Sequence, residues 1–279
     1  MSRSRWWNQP RFDVLEVFLF VALLVSIGAA VFLTQRAAWM RLSYPAFTAA
    51  QEAARLRDRY GPGRYSRHEE EWTIRDYFQD RRGGYFVDVG ANHYKNENNT
   101  YFLETRLGWS GLAIDPQTSF AADYARFRPR TRFFSFFVSD VSNATAEFYL
   151  TPKNPLVASA DRTFAERNGT EIPRAVLDTK EVSVPTIRLT DLLDKLAVTH
   201  LDLLSVDVEL AEPKVLAGFD IDRFRPSLVC IEAHPRVRQQ ILDYFAEHRY
   251  VAVGKYLRAD IQNLYFAPLH TADGKTGPK

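Results

Sequence analysis

No charged residue occurs between Glu16 and Arg36. The intervening stretch, residues 17–35 (VFLFVALLVSIGAAVFLTQ), is almost wholly apolar, and a bilayer core is crossed by roughly 20 such residues as a helix. The stretch is longer than the apolar part of a cleaved signal peptide, and no small-x-small cleavage site follows it. It predicts a permanent single-pass anchor, so that residues 1–40 are an N-terminal tail and transmembrane helix, with Trp6, Trp7 and Trp39 at the interfaces. Residues 41–82 read as a helical juxtamembrane connector. Ala46–Tyr60 mixes alanine with Arg and Glu, Glu69–Phe78 sets Trp72, Tyr77 and Phe78 among charges at helical spacing, and Gly61-Pro62-Gly63 breaks the two apart.

From Gly83 onward short apolar runs alternate with amphipathic ones. Strands are predicted at Tyr85–Val89, Leu112–Ile114, Arg132–Val138, Leu201–Val206, Leu228–Ile231, Tyr250–Val253 and Leu264–Ala267. Helices are predicted at Asn98–Leu107, Ser119–Phe127, from a Thr190 cap to Leu196, at Pro213–Gly218 and at Arg236–His248. The last puts Val237, Ile241, Leu242 and Phe245 on one side. Strand–helix alternation predicts an α/β domain over residues 83–268, a mostly parallel sheet with helices on both faces. Residues 151–185, with Pro152, Pro155, Pro173 and Pro185, follow neither period and read as a substrate loop. Residues 269–279 read as a flexible tail.

Composition agrees with this picture. Of 279 residues, 46% are hydrophobic and 25% charged, which excludes wholesale disorder and collagen-like repeats. The 36 basic residues nearly balance the 34 acidic ones, and no Lys/Arg stripe marks a nucleic-acid binder. Cys230 is the only cysteine, so neither an internal disulfide nor a cysteine-based zinc site can form.

In an open α/β sheet, ligands sit beyond the carboxyl ends of the strands. Here successive strand ends present Asp88, Gly90 and Asn92, then Asp115, then Ser139 and Asp140, then Asp207 and Glu209, then Glu232 and His234. Each of these polar residues is also of a type that caps helices. Asp115 lies one βα unit beyond Gly90, where an acid accepts hydrogen bonds from ribose hydroxyls. The loop Gly90-Ala91-Asn92-His93-Tyr94-Lys95 has one glycine, which argues against the pyrophosphate cradle of a dinucleotide.

Two stretches resemble a known family. FVDVGANHYKNENNTYFLETRLGWSGLAIDP and VPTIRLTDLLDKLAVTHLDLLSVDVELAEPKVLAGFD are similar, in order and spacing, to the two halves of FkbM-type S-adenosylmethionine-dependent methyltransferases, over about residues 72–267. The resemblance implies a class I methyltransferase fold, Rossmann-like, and methyl transfer to oxygen atoms of sugars or other small metabolites. It implies that Asp88, Gly90 and Asn92 hold the methionine end of S-adenosylmethionine, Asp115 the ribose, and Ser139 with Asp140 the adenine. Asp207 and Glu209 then face the methyl group and the acceptor. The chain departs from the family at Leu210, where glycine is usual, at Asp115, where Glu is usual, and in the bulky His93-Tyr94 loop.

A sugar hydroxyl is a poor nucleophile, so its proton must be removed. The expectation is that His234 acts as general base, or that Asp207 and Glu232 bind a divalent cation, magnesium or manganese. The alternative to an enzyme is an inactive methyltransferase-like domain serving as a membrane scaffold or partner-binding module. Anchoring points to a lipid-linked or membrane-proximal glycan as acceptor. Because S-adenosylmethionine is made in the cytosol, the catalytic domain is expected to face the cytoplasm. The flanking arginines, Arg3, Arg5 and Arg11 against Arg36 and Arg41, lean slightly the other way. Sequons stand at Asn98, Asn143 and Asn168, the first inside the cofactor-loop motif.

Overall fold

Five parallel strands carry the domain, and all but the edge strand, Thr131–Phe134, are short apolar runs buried along nearly their whole length. They are β1 (Tyr85–Val89), β2 (Ser110–Ile114), β3 (Thr131–Phe134), β7 (Leu203–Val206) and β8 (Leu228–Glu232). Two further strands, β9 (Tyr250–Ala252) and β10 (Asn263–Pro268), complete a seven-stranded sheet of order β3-β2-β1-β7-β8-β10-β9. β10 runs antiparallel to both of its neighbours. The computed structural model describes residues 23, 25–31, 34, 50–151, 158–167 and 179–269.

Alternation along the strands feeds two cores. Phe86, Leu203, Leu228, Cys230 and Tyr265 point to one face, where Ile74, Leu103, Leu107 and Trp109 cover them. Val87, Val89, Leu112, Ile114, Leu204, Val206, Val229 and Ile231 point to the other. There they meet Leu192 and Leu193 of helix Leu189–Lys195, Val215 and Leu216 of Glu212–Ala217, and Ile241 and Phe245 of Arg238–Glu247. Ile74 belongs to helix Glu70–Phe78, whose Tyr77 hydroxyl also donates to the Ser227 carbonyl at 2.7 Å. Residues 49–279 form one compact unit, so this second connector helix is built into the catalytic body.

The aromatic run 132–138 is not one strand. β3 ends at Phe134, and β4 (Phe137–Val138) leaves the main sheet to pair with β6 (Lys180–Ile187). β6 also pairs antiparallel with β5 (Thr145–Leu150), giving a second, three-stranded sheet. Part of the expected irregular segment 151–185 is therefore strand, and Arg162–Glu166 is helical. Residues 152–157 and 168–178 lie outside the described residues. Thr190 is not the cap of its helix. Arg188 holds that position, and the Thr190 hydroxyl instead accepts from the Asp220 amide at 2.8 Å.

The expected anchor at residues 17–35 lies mostly outside the described residues, as do the tails 1–16 and 270–279. Residues 23, 25–31 and 34 are helical, with Leu23, Val25, Ile27 and Val31 exposed. Among the described residues no helix is long and apolar enough to cross a membrane.

Candidate active site

The strand order reverses at β1, with β2 on one side and β7 on the other, so the crossover helices diverge and a cleft opens beyond the strand ends. It holds about 450 Å³ of empty space, part of it open to solvent. One wall is apolar, made by Ile114, Phe136, Phe137, Val138 and Phe148. The other is polar, made by Gly90, Asn92, Asp115, Asp207 and Glu209.

Gly90 has φ +83°, and a Cβ there would lie 1.7 Å from the Asp207 carbonyl oxygen. The glycine is thus demanded by the neighbouring strand end as well as by the turn. Asn92, also left-handed at φ 48°, donates its amide to Asp115 Oδ2 at 3.1 Å. Asp115 Oδ1 accepts from the Gln117 amide at 2.8 Å. Asp115 lines the cleft with its carboxylate held by these amides, and an acid there is suited to accept from ribose hydroxyls. Burial pushes the Asp115 carboxyl up to about 6, against these amide bonds.

Asp88 stands one layer below the cleft and does not line it. It is 4% exposed and accepts from Thr100 Oγ1 at 2.9 Å. Burial raises it to about 6, against Thr100 and the nearby Arg128. Its role is to brace the loop above. The brace is larger than the sequence suggested. Arg128 is fully buried, pairs with Glu104 at 2.5 Å, and donates to the Tyr94 carbonyl, Asn98 Oδ1 and Thr100 Oγ1. Asn98 is 1% exposed and donates to the Ala91 carbonyl and the Tyr124 hydroxyl. A glycan on that amide has no room in the folded chain. Nothing in the periodicity marked Arg128, because a lone arginine after a helix usually reads as surface.

Ser139 and Asp140, expected at the adenine, are not lining residues. Ser139 is buried and donates to Asp140 Oδ1 at 2.8 Å, while Asp140 is exposed. The displacement follows from the break after Phe134. The main-sheet strand ends earlier than the apolar run implied, so Phe136, Phe137 and Val138 form the wall instead.

At the other end of the cleft, carboxyl groups gather beyond β7 and β8. Asp207 lines the cleft, reached by solvent but crowded by protein, with Glu232 as its hydrogen-bond neighbour. Desolvation raises both carboxyls, with the Asp207 charge adding to the rise at Glu232 and the Arg67 guanidinium opposing the rise at Asp207. Glu209 is raised well above the ordinary range by burial, Asp207 and Glu212, and Glu212 is pushed by burial up to about 7. Glu209 and Leu210 take successive left-handed conformations, φ 54° and 82°. Ser159 Oγ holds the turn by donating to the Glu209 carbonyl at 2.7 Å.

His234, expected as the general base, is not among the residues that line the cleft. Its Nδ1 accepts from the Arg236 amide at 3.2 Å, and its ring meets Phe164 edge-on at 5.5 Å. The expected cation at Asp207 and Glu232 finds no support in the placement of side chains: among the described residues no group of three or more His, Cys, Asp or Glu is placed to hold a metal ion.

The donor set suits S-adenosylmethionine. An apolar wall fits a purine, Asp115 fits the ribose, and carboxyls at the far end fit a cationic sulfonium. Sheet order and cleft together define a class I methyltransferase. The Methyltransferase FkbM domain matches residues 88–252, and the chain belongs to that family. No curated protein matches the sequence. Among solved structures, a TehB-like SAM-dependent methyltransferase from Corynebacterium glutamicum is similar at 14% identity and TM-score 0.40, over 80% of this chain and 99% of that one. A putative rRNA methylase from Clostridium thermocellum is similar at 9% identity and TM-score 0.39, over 71% and 94%. A putative RNA methyltransferase from Pyrococcus horikoshii is similar at 13% identity and TM-score 0.36, over 72% and 82%.

Proposed function

We propose that this chain is a membrane-anchored, S-adenosylmethionine-dependent O-methyltransferase acting on a hydroxyl of a sugar, a glycan or another small metabolite. The observation that carries the reading is the cleft beyond the strand ends, which sets Gly90, Asn92 and Asp115 at one end and Asp207 and Glu209 at the other. Methyl transfer is an in-line displacement, and most of the work is holding the nucleophile against the methyl carbon. The cofactor supplies an activated methyl group on a sulfonium. Gly90, Asn92 and Asp115 would hold its methionine and ribose parts. Asp207 accepts the hydrogen bond of the acceptor hydroxyl and lines it up, while Glu209 closes the same end. Both carboxyls favour a positive sulfonium more than a neutral thioether.

Residues 17–35 supply the anchor in this reading, and the exposed apolar side chains Leu23, Val25, Ile27 and Val31 support it. Anchoring brings the cleft to lipid-linked or membrane-proximal glycans. The domain faces the cytoplasm, where the cofactor is made. Burial of Asn98 supports that side, since a glycan added there during lumenal synthesis would block the cofactor loop. The test is methyl incorporation from labelled S-adenosylmethionine into glycan, glycolipid and small-molecule fractions, with alkaline carbonate extraction of the full chain. Label in base-stable methyl ethers and retention in carbonate-washed membranes support the reading. Label on nitrogen or protein, or release by carbonate, contradicts it.

A further inference from the structure

A second hollow of about 710 Å³, part of it open to solvent, lies beside the cleft. Glu209 lines both, so the hollow begins where the methyl end of the cleft stops. The border between them is pinned. Ser159 Oγ accepts from the Asp161 amide at 3.0 Å and donates to the Glu209 carbonyl at 2.7 Å. Leu210 lines the hollow with its backbone at φ 82°, a conformation free to glycine and strained for a leucine. Strain of this kind gathers at ligand sites. Two cations from separate elements reach the same hollow: Lys214 on helix Glu212–Ala217, and Arg236 just before helix Arg238–Glu247. Arg236 Nη2 pairs with Asp161 Oδ2 at 2.9 Å, which occupies only part of a guanidinium's N–H donors. Lys214 is exposed and has no ion-pair partner among the described residues. The remaining carboxyl, Glu209, is raised well above the ordinary range by burial, Asp207 and Glu212, so it opposes an anion weakly.

We propose that this hollow is the acceptor site, and that its occupant is a sugar or similar hydroxyl-bearing ring that carries an anionic group, phosphate or carboxylate. The proposal rests on the O-methyltransferase reading above and narrows its substrate class. Lys214 and Arg236 hold the anion through charge-assisted hydrogen bonds, which are about twice as strong as neutral ones. Leu210 lies against the ring, and a hydroxyl on the far side of the ring reaches past Glu209 to the methyl end of the cleft. The anion is thereby kept away from Asp207, whose charge would repel it. A neutral ring meets the same walls and gains nothing from the two cations, so the hollow selects by charge.

The test uses the full chain in detergent. Calorimetry first establishes that S-adenosylhomocysteine binds. The saturated chain is then titrated at low salt with glucose 6-phosphate, glucuronate and glucose, read by ligand-observed NMR. At least one anionic probe should bind at least about tenfold tighter than glucose, and the tighter of the two names the anion. Lys214→Glu, a change at an exposed position, should cut that preference below about threefold, whereas Lys195→Glu on another helix should leave it intact. Glucose bound as tightly as both anionic probes, no binding of any of the three, or a preference that survives Lys214→Glu overturns the proposal and leaves the cofactor reading standing. A folded chain that does not bind S-adenosylhomocysteine overturns the methyltransferase reading and this proposal with it.

Discussion

Glu232 closes β8 beside Asp207, the residue that follows the neighbouring strand β7. Burial and the Asp207 charge raise the Glu232 carboxyl well above its ordinary range, which favours its protonated form. A positive sulfonium beside the pair lowers both carboxyls, and a neutral thioether does not. Binding of S-adenosylmethionine should release more protons than binding of S-adenosylhomocysteine. Calorimetry near pH 7 in buffers of different ionisation enthalpy measures the difference directly. Equal proton release for the two ligands would place the pair away from the sulfonium.

Leu210 occupies φ +82°, a conformation that costs a bulky side chain about 1–3 kcal/mol. Leu210→Gly removes that strain and adds unfolded-state entropy worth less than about 1 kcal/mol. The variant should be more stable by about 1 kcal/mol, read as a higher urea midpoint at unchanged slope. A variant less stable than the parent would show that Leu210 packing outweighs the backbone strain.

Arg128 lies inside a buried set of oxygens from Glu104, Tyr94, Asn98 and Thr100. Removing one partner of a buried ion pair leaves the other charged and unpaired, at about 3–5 kcal/mol. Arg128→Met should lose that much stability in urea titrations and weaken cofactor binding, because Tyr94 and Asn98 belong to the cofactor loop. A loss under about 1 kcal/mol would show that water replaces the guanidinium.

The order of the fold was legible because five buried strands and their helices obey simple periods, and the sheet needs no disulfide or metal to close. The strand ends named Gly90, Asn92, Asp115, Asp207 and Glu209, and all five line the cleft. The failures have physical causes. Phe133, Phe134, Phe136, Phe137 and Val138 read as one strand, yet the chain changes sheets between Phe134 and Phe137, and apolar runs do not record which sheet they join. β6 was hidden by Pro185, which pairs with Thr145 of β5 on one side and lies just outside the β4 pairing at Thr186 and Ile187, so its missing N–H breaks no ladder there. The helix expected over Glu69–Phe78 showed only its aromatic face in the sequence, yet Glu70 and Glu71 are buried too, and Glu70 accepts from Asn263 Nδ2 on β10, a contact that only the tertiary fold creates.

Stability should fall as pH rises from about 5 to 8. Burial raises Asp88 and Asp115 to about 6, Glu212 to about 7, and Glu70 to about 8, the last with help from Asp260. Folded-state values above the unfolded ones, near 4, mean that the native chain holds protons that the unfolded chain releases. That stability is complete below about pH 4 and is lost as pH passes through the folded values. Asp76 acts oppositely: against its burial, Lys255 and Tyr256 hold it below the ordinary range, and that contribution is lost only in stronger acid. Thermal midpoints across this range check the sign, and Glu70→Gln should flatten the decline above about pH 7. A midpoint that climbs steadily from pH 5 to 8 would contradict the assignment.

The most direct test is calorimetric titration of the full chain with S-adenosylmethionine, using NAD as control. The cleft described above predicts binding at about micromolar Kd for the parent, none for NAD, and at least a tenfold loss, about 1.4 kcal/mol, in Asp115→Ala. A folded parent chain that binds no S-adenosylmethionine, or an Asp115→Ala variant that binds as tightly as the parent, would contradict the account.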